Sequence, residues 1–296
     1  MTNPIGGFLL LHKAQQISSH QALSPIKKKF KCKVGHNGTL DPLATGTLVC
    51  AIGQARKYLQ FIHPDSKKNY KATIQLGIQT DSGDITGKTI GDEQAPTLSI
   101  IQIKEVLQEF TGVIEQTPPL FSALKYKGKP YYRYARAGQE IPIKKRGVVI
   151  ESIDFIEYRK EKNQIIIEAC VGSGTYIRSL AEDIANAFST IGCLAGLERK
   201  TVQPWSNHPT YLIDEVIECK QPDTLLLPVD SALLHYPELV LDKKQIEALQ
   251  HGITIENTTN HQSQHVRVYD AQNQFKGLLY VCSTSMKAAK MLQHDV

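Results

Sequence analysis

GHNGTLDPLATG, residues 35–46, is the stretch on which the reading of this 296-residue chain turns. Three glycines, an Asn, an Asp and a Pro within twelve residues break any helical or strand period, so the stretch reads as a loop. Its one carboxylate, Asp41, is the only acid between Lys27 and Arg56, a span that also carries Lys28, Lys29, Lys31 and Lys33. Local sequence leaves two readings of Asp41 open. Asp-Pro is a common turn pair. Alternatively, basic surroundings keep a carboxylate ionised, and one set where phosphates approach is repelled by them unless it meets a sugar carbon or a base; such a group serves as nucleophile or base.

Upstream of the loop, Phe8 to Leu11 open a strand. Ser18 and Ser19 then offer helix caps ahead of Leu23, Ile26 and Phe30 at helical spacing. Pro25 falls inside that pattern, so the helix either kinks there or begins at Pro25 with Ser24 as its cap. Downstream, Leu48 to Ile52 reads as a buried strand, Ala55 to Ile62 as a helix, and Tyr70 to Ile78 alternates as a half-buried strand. Residues 80–96 are polar and turn-rich. An amphipathic helix begins near Ser99, and a tyrosine- and base-rich segment after Pro118-Pro119 leads to a short helix, Tyr131 to Ala137, ended by Gly138. Val148 to Ile156 and Ile165 to Val171 predict a hairpin across YRKEKN. Thr175 is the expected cap of a helix whose buried face is Ile177, Leu180, Ala181, Ile184 and Phe188, and Cys193 to Val202 returns as a strand.

Hairpins and helices without regular βαβ alternation predict an α+β fold on a mixed, mostly antiparallel sheet flanked by helices and loops. Prolines at 204, 209, 222 and 228 mark a transition, beyond which Ile253 to Ile255, Val266 to Tyr269 and Gly277 to Val281 form a small β-rich unit. The expected division is 1–228 and 229–296. A chain 41% hydrophobic and 21% charged is ordinary globular material, which excludes disorder, collagen and coiled coil. No stretch nears the roughly 18 apolar residues of a membrane helix, and the N-terminus lacks a basic lead and cleavage site, so a soluble cytoplasmic protein without membrane attachment is expected. Six cysteines without a CxxC pair predict reduced thiols and no metal site. The net charge of +5 is unevenly placed: residues 1–71 hold eleven basic and two acidic side chains, residues 209–296 seven basic and eleven acidic. A solvated lysine face explains the first surplus as well as a polyanion partner does, until a motif decides.

The motifs decide. GHNGTLDPLATGTLVCAIGQARK, KNYKATIQLGIQTDSGD, TPPLFSALKYKGKPYYRYARAGQEI and CVGSGTYIRSLAEDIA lie in order across most of residues 8–202, and together they resemble the signature of TruB-type pseudouridine synthases. The resemblance implies a pseudouridine synthase fold, with 229–296 resembling a small PUA-like β domain through VRVYDAQNQFKGLLYV. It implies isomerisation of uridine-55 in the TΨC loop of tRNA to pseudouridine with no cofactor and no metal, and a secondary role in tRNA folding. Asp41 corresponds to the family's catalytic aspartate, which acts at the ribose or the base while C1′–N1 breaks and C1′–C5 forms. His36 corresponds to the histidine that places loop nucleotides during flipping, Tyr70 to the tyrosine that stacks on the flipped base, and Leu197 to the apolar residue packed on the uracil. Arg178 corresponds to the arginine paired with the aspartate. The residues add support here: an arginine in the first turn of a helix meets the positive end of the dipole, at about 0.3–1 kcal/mol, unless a carboxylate answers it. Lys57 and Lys125 fall at basic positions of matched motifs and are expected to meet phosphate. The T-arm stem-loop of tRNA is the implied partner; a monomer acting without guide RNA is expected, since the long basic tail of the guide-dependent relatives is missing.

Overall fold

The computed structural model describes residues 6–293; the reading of the extreme N-terminus falls partly on residues 1–5, outside them. Eight strands form the central sheet: β1 (Phe8–Lys13), β2 (Val34–Asn37), β3 (Thr45–Ile52), β4 (Lys68–Leu76), β5 (Gly112–Gln116), β6 (Arg146–Arg159), β7 (Gln164–Val171) and β8 (Gly192–Val202). The order is β1-β3-β8-β4-β7-β6-β5, with β2 also on β3. Every pairing is antiparallel except β3 with β8, the α+β architecture expected. Helices α1 (Ser19–Phe30), α2 (Ile100–Glu109), α3 (Tyr131–Arg136), α4 (Ile177–Ala187) and α5 (Ile213–Glu218) accompany it. A second sheet of five strands holds β9 (Glu238–Val240), β10 (Ile255–Glu256), β11 (Gln264–Tyr269), β12 (Phe275–Val281) and β13 (Ser285–Met291), with α6 (Lys243–Gln250) beside it.

Several boundaries differ from expectation for identifiable reasons. Helix α1 begins at Ser19 and runs through Pro25, because Ser18 accepts the Gln21 N–H while the Gln21 amide accepts the Ser18 N–H, a reciprocal cap that fixes the start six residues earlier. The loop is shorter than its composition suggests: Val34–Asn37 pairs with β3, so His36 sits on a strand opposite Cys50. Residues 53–61 wind as a 3₁₀ helix rather than an α-helix. Thr175 does not cap α4; Tyr176 holds the cap position, and its N–H and carbonyl are both taken by the Gln116 side chain at the end of β5.

One feature of the sheet positions the loop that carries Asp41. Along the edge of β3 away from β1, β2 takes residues 49–52 and β8 takes only Thr45 and Gly46. The sheet forks between them, and residues 38–44 emerge at the fork. The chief core lies on one face, with Leu9, Leu48, Ile74, Ile167 and Leu180; a second gathers Phe8, Val49, Tyr58 and Trp205 with Leu233 and Leu278.

Candidate active site

The fork leaves backbone carbonyls without ladder partners, and buried carbonyls demand donors. Arg199 of β8, 1% exposed, supplies them: Nε donates to the Thr47 carbonyl at 2.7 Å, Nη2 to the Gly38 carbonyl at 2.8 Å, and Nη1 reaches the Tyr70 hydroxyl at 3.4 Å. A planar guanidinium with donors on several sides meets such divergent acceptors where a lysine could not. The loop is pinned at its other end by Ser19, whose hydroxyl accepts from the Leu40 N–H (2.8 Å) and donates to the Leu40 carbonyl (2.9 Å). Gly38 has φ +70°, and a Cβ there would lie 3.1 Å from Arg199, so glycine alone suits this close approach.

Asp41 is thereby held against α4. Its Oδ2 accepts from Arg178 Nε at 2.9 Å; the Arg178 side chain is 6% exposed and the Asp41 side chain 39%. The same guanidinium donates through Nη1 to the Ser82 carbonyl (2.7 Å) and through Nη2 to the Phe121 carbonyl (2.9 Å). Burial pushes the Asp41 carboxyl up, Arg178 opposes that shift, Asp84 adds to it and Lys13 opposes it. Lys13 is fully buried, its ammonium donating to the carbonyls of Ala14 and Ile17, and burial brings it down to about 8. A tight pocket of about 150 Å³ lies over the pair, lined by Asp41, Leu43, Ala44, Asp84, Arg178, Leu194 and Leu197. A larger cleft of about 1030 Å³, lined in part by His63, Lys67, Pro204 and His235, is elsewhere and lacks an arginine–carboxylate pair.

The structure thus brings Asp41, Arg178 and Leu197 together, and ties Tyr70, 7% exposed on β4, to the loop through Arg199. His36 stands at the loop's entry; its Nδ1 is buried without a hydrogen-bond partner, and burial with nearby Arg199, His20 and Lys27 lowers its proton affinity, so the ring is neutral. Lys57 and Lys125 are not at this pocket. Lys57 is near Arg56 and Lys290 on the 3₁₀ segment, and Lys125 is exposed on the hairpin Lys125–Tyr126/Lys129–Pro130. The lysine beside the loop is Lys68, which burial and Arg199 bring down to about 8, with its Cε 3.7 Å from where a Gly38 Cβ would be. Arg199, Asp84, Lys13 and Lys68 were not singled out by sequence. The available signal was positional: Lys68 shares a strand face with Tyr70, and Arg199 follows Leu197 at strand period.

Residues 26–177 match the family model described as TruB family pseudouridylate synthase, N-terminal domain, and residues 237–280 match that of pseudouridine synthase II TruB, C-terminal. A protein of Neisseria gonorrhoeae named tRNA pseudouridine synthase B is 37% identical over 279 residues, covering 93% of this chain and 90% of the relative. Its namesakes in Methylobacillus flagellatus and Psychrobacter cryohalolentis are each 38% identical, covering 93% and 84% of this chain and 90% and 70% of the relatives. Among solved structures, a chain of a Cbf5-Nop10-Gar1 complex superposes with TM-score 0.73 at 20% identity over 98% of this chain and 87% of that one, a likeness of fold.

Proposed function

The chain belongs to the TruB family of pseudouridylate synthases and forms pseudouridine in tRNA, and from that premise we propose that its target is uridine-55 of the T-arm and that the pocket around Asp41 is where the base is exchanged. The reaction is an isomerisation: C1′–N1 breaks, the uracil turns, C1′–C5 forms, and C5 gives up its proton while N1 gains one. No electron is gained or lost overall. What it requires is a carboxylate kept ionised beside an apolar wall, and the Arg178–Asp41 contact at 2.9 Å in a pocket with Leu43, Leu194 and Leu197 is the observation that carries the reading. Burial raises the Asp41 carboxyl, and the guanidinium opposes that rise and favours the anion.

A uridine inside a folded loop must leave its stack, at a few kcal/mol, and be held elsewhere. Leu197 packs on the uracil, Tyr70 stacks on it, and the neutral His36 occupies the space that the nucleotide leaves. Lys68, Lys57 and Lys125 meet phosphates on the strands to either side, giving salt-dependent affinity. In this reading residues 1–228 are catalytic and 229–296 brace them against the RNA. The enzyme works in the cytoplasm as a monomer on naked tRNA without guide RNA, cofactor or metal, and assists tRNA folding as a second role. Among the described residues no helix is long and apolar enough to cross a membrane.

Incubation with unmodified tRNA followed by chemical mapping of pseudouridine tests the reading. The parent should convert one uridine, at position 55, and Asp41→Asn should abolish conversion while RNA binding survives. Turnover of that variant within about tenfold of the parent, a loss smaller than removal of a covalently acting group produces, would sink it.

A further inference from the structure

Residues 117–138 leave the end of β5 and carry the hairpin and α3, with Lys125, Lys127, Lys129, Arg133 and Arg136 exposed. Little of this arm is buried beyond Pro118, Ser122 and Tyr131, so its own packing does not fix its position. Its root is fixed instead by three side chains converging on the first turn of α4. Gln116, fully buried, donates through Nε2 to the Tyr176 carbonyl at 3.0 Å and accepts the Tyr176 N–H at 2.8 Å. Ser179 Oγ donates to the Thr117 carbonyl at 2.7 Å. Arg178 Nη2 donates to the Phe121 carbonyl at 2.9 Å, and that same guanidinium holds Asp41. The arm's root and the carboxylate therefore share one planar group.

We propose that Gln116 and Ser179 are positioning residues that couple the cationic arm to the reaction: an RNA seated on the arm fixes the Phe121 carbonyl, which fixes Arg178 and through it Asp41. The coupling rests on the proposed function of the Asp41 pocket. Two hydroxyls at this junction, Ser122 Oγ and Thr175 Oγ1, are buried without partners. Such groups are costly where they stand, and an RNA-engaged arrangement of the arm would pair them. Asp41 faces Arg178, Asp84 and Lys13. Burial already outweighs Arg178 at this carboxyl, so loosening Arg178 raises it further and the acid limb of kcat moves to higher pH.

Gln116→Met keeps the volume of the side chain and removes both hydrogen bonds; Ser179→Ala removes the third. On saturating tRNA each should lower kcat by about ten- to a hundredfold, the range for a group displaced by about 1 Å. KM should stay within about threefold, the melting temperature should fall by no more than a few degrees, the cost of unpaired groups at a buried junction, and the acid limb should shift upward. In an Arg178→Lys background, read by single turnover, Gln116→Met should change nothing further, since coupled residues are not additive. A parent inactive on unmodified tRNA overturns the proposed function. With an active parent, an unchanged kcat, a loss confined to KM, or full additivity with Arg178→Lys overturns the coupling alone.

Discussion

An arginine at the second position of α4 and a carboxylate in a loop more than a hundred residues away need each other for separate reasons. Arg178 faces the positive end of the helix dipole and Asp41 is pushed toward neutrality by burial, so the pair stabilises both. That pairing was legible in sequence through the resemblance of the two motifs, with support from an arginine placed at a helix start. Arg199 was not, since LERK on a strand reads as solvated charge until the fork of the sheet is known. One turn along α4 from Arg178, Glu182 is pushed up to about 7, first by burial and then by Asp183, against Arg178. The folded state therefore holds a proton that the unfolded state has released between pH 4.5 and about 7. Stability from this group is lost as pH rises through that window. Glu182→Gln should raise the urea midpoint at pH 8 by an amount worth roughly 1–3 kcal/mol and have little effect at pH 4.5. Equal gains at both pH values would show that the carboxyl is not shifted.

Elements were legible where period and cap agreed. Strands β4 and β7 and helix α4 fall within about two residues of the predicted spans, because alternation or helical spacing marks them, while β6 outruns its prediction at both ends through two register shifts. Strand β2 was hidden by its glycine-rich sequence and exists because β3 offers an edge. Helix α6, capped by Asp242 and Gln245, lay in a stretch read only for strands. For α1 the two signals conflicted, and the reciprocal cap of Ser18 and Gln21 outweighed Pro25. The proline remains at a cost: it removes one donor to the Gln21 carbonyl and crowds that turn, about 3 kcal/mol in a helix interior, offset by up to about 1 kcal/mol from its stiffer unfolded chain. Pro25→Ala should therefore raise stability by roughly 1–2 kcal/mol, measured by denaturant unfolding, with kcat on tRNA unchanged because Ser19 keeps its hold on Leu40. A destabilised Pro25→Ala variant would mean that the Pro25 ring itself contributes to how α1 packs beside the loop.

At the scale of the molecule, the C-terminal sheet belongs to a small β-rich unit, and the packing shows what it rests against. Phe8, Val49, Ala51 and Tyr58 of the first part share a core with Val229, Leu233, Leu278 and Leu292. The Tyr58 hydroxyl donates to the Lys290 carbonyl at 3.0 Å, and the Gln54 amide donates to the Gln293 carbonyl and accepts its N–H. Trp205, the single tryptophan, lies in that core 2% exposed, its ring 4.9 Å from Phe8 and its indole N–H donating to Ser231 Oγ. Separating the two sheets would expose an aromatic surface on each, a penalty of several kcal/mol at about 25 cal/mol per Å², larger than a small sheet recovers by itself. The two parts should then unfold together. Urea transitions followed by Trp205 emission, which reports the junction, and by far-ultraviolet circular dichroism, which reports both sheets, should superimpose with one midpoint. An emission change that precedes the loss of secondary structure would show that the junction opens first, and that the shared core is too weak to make the molecule one cooperative unit.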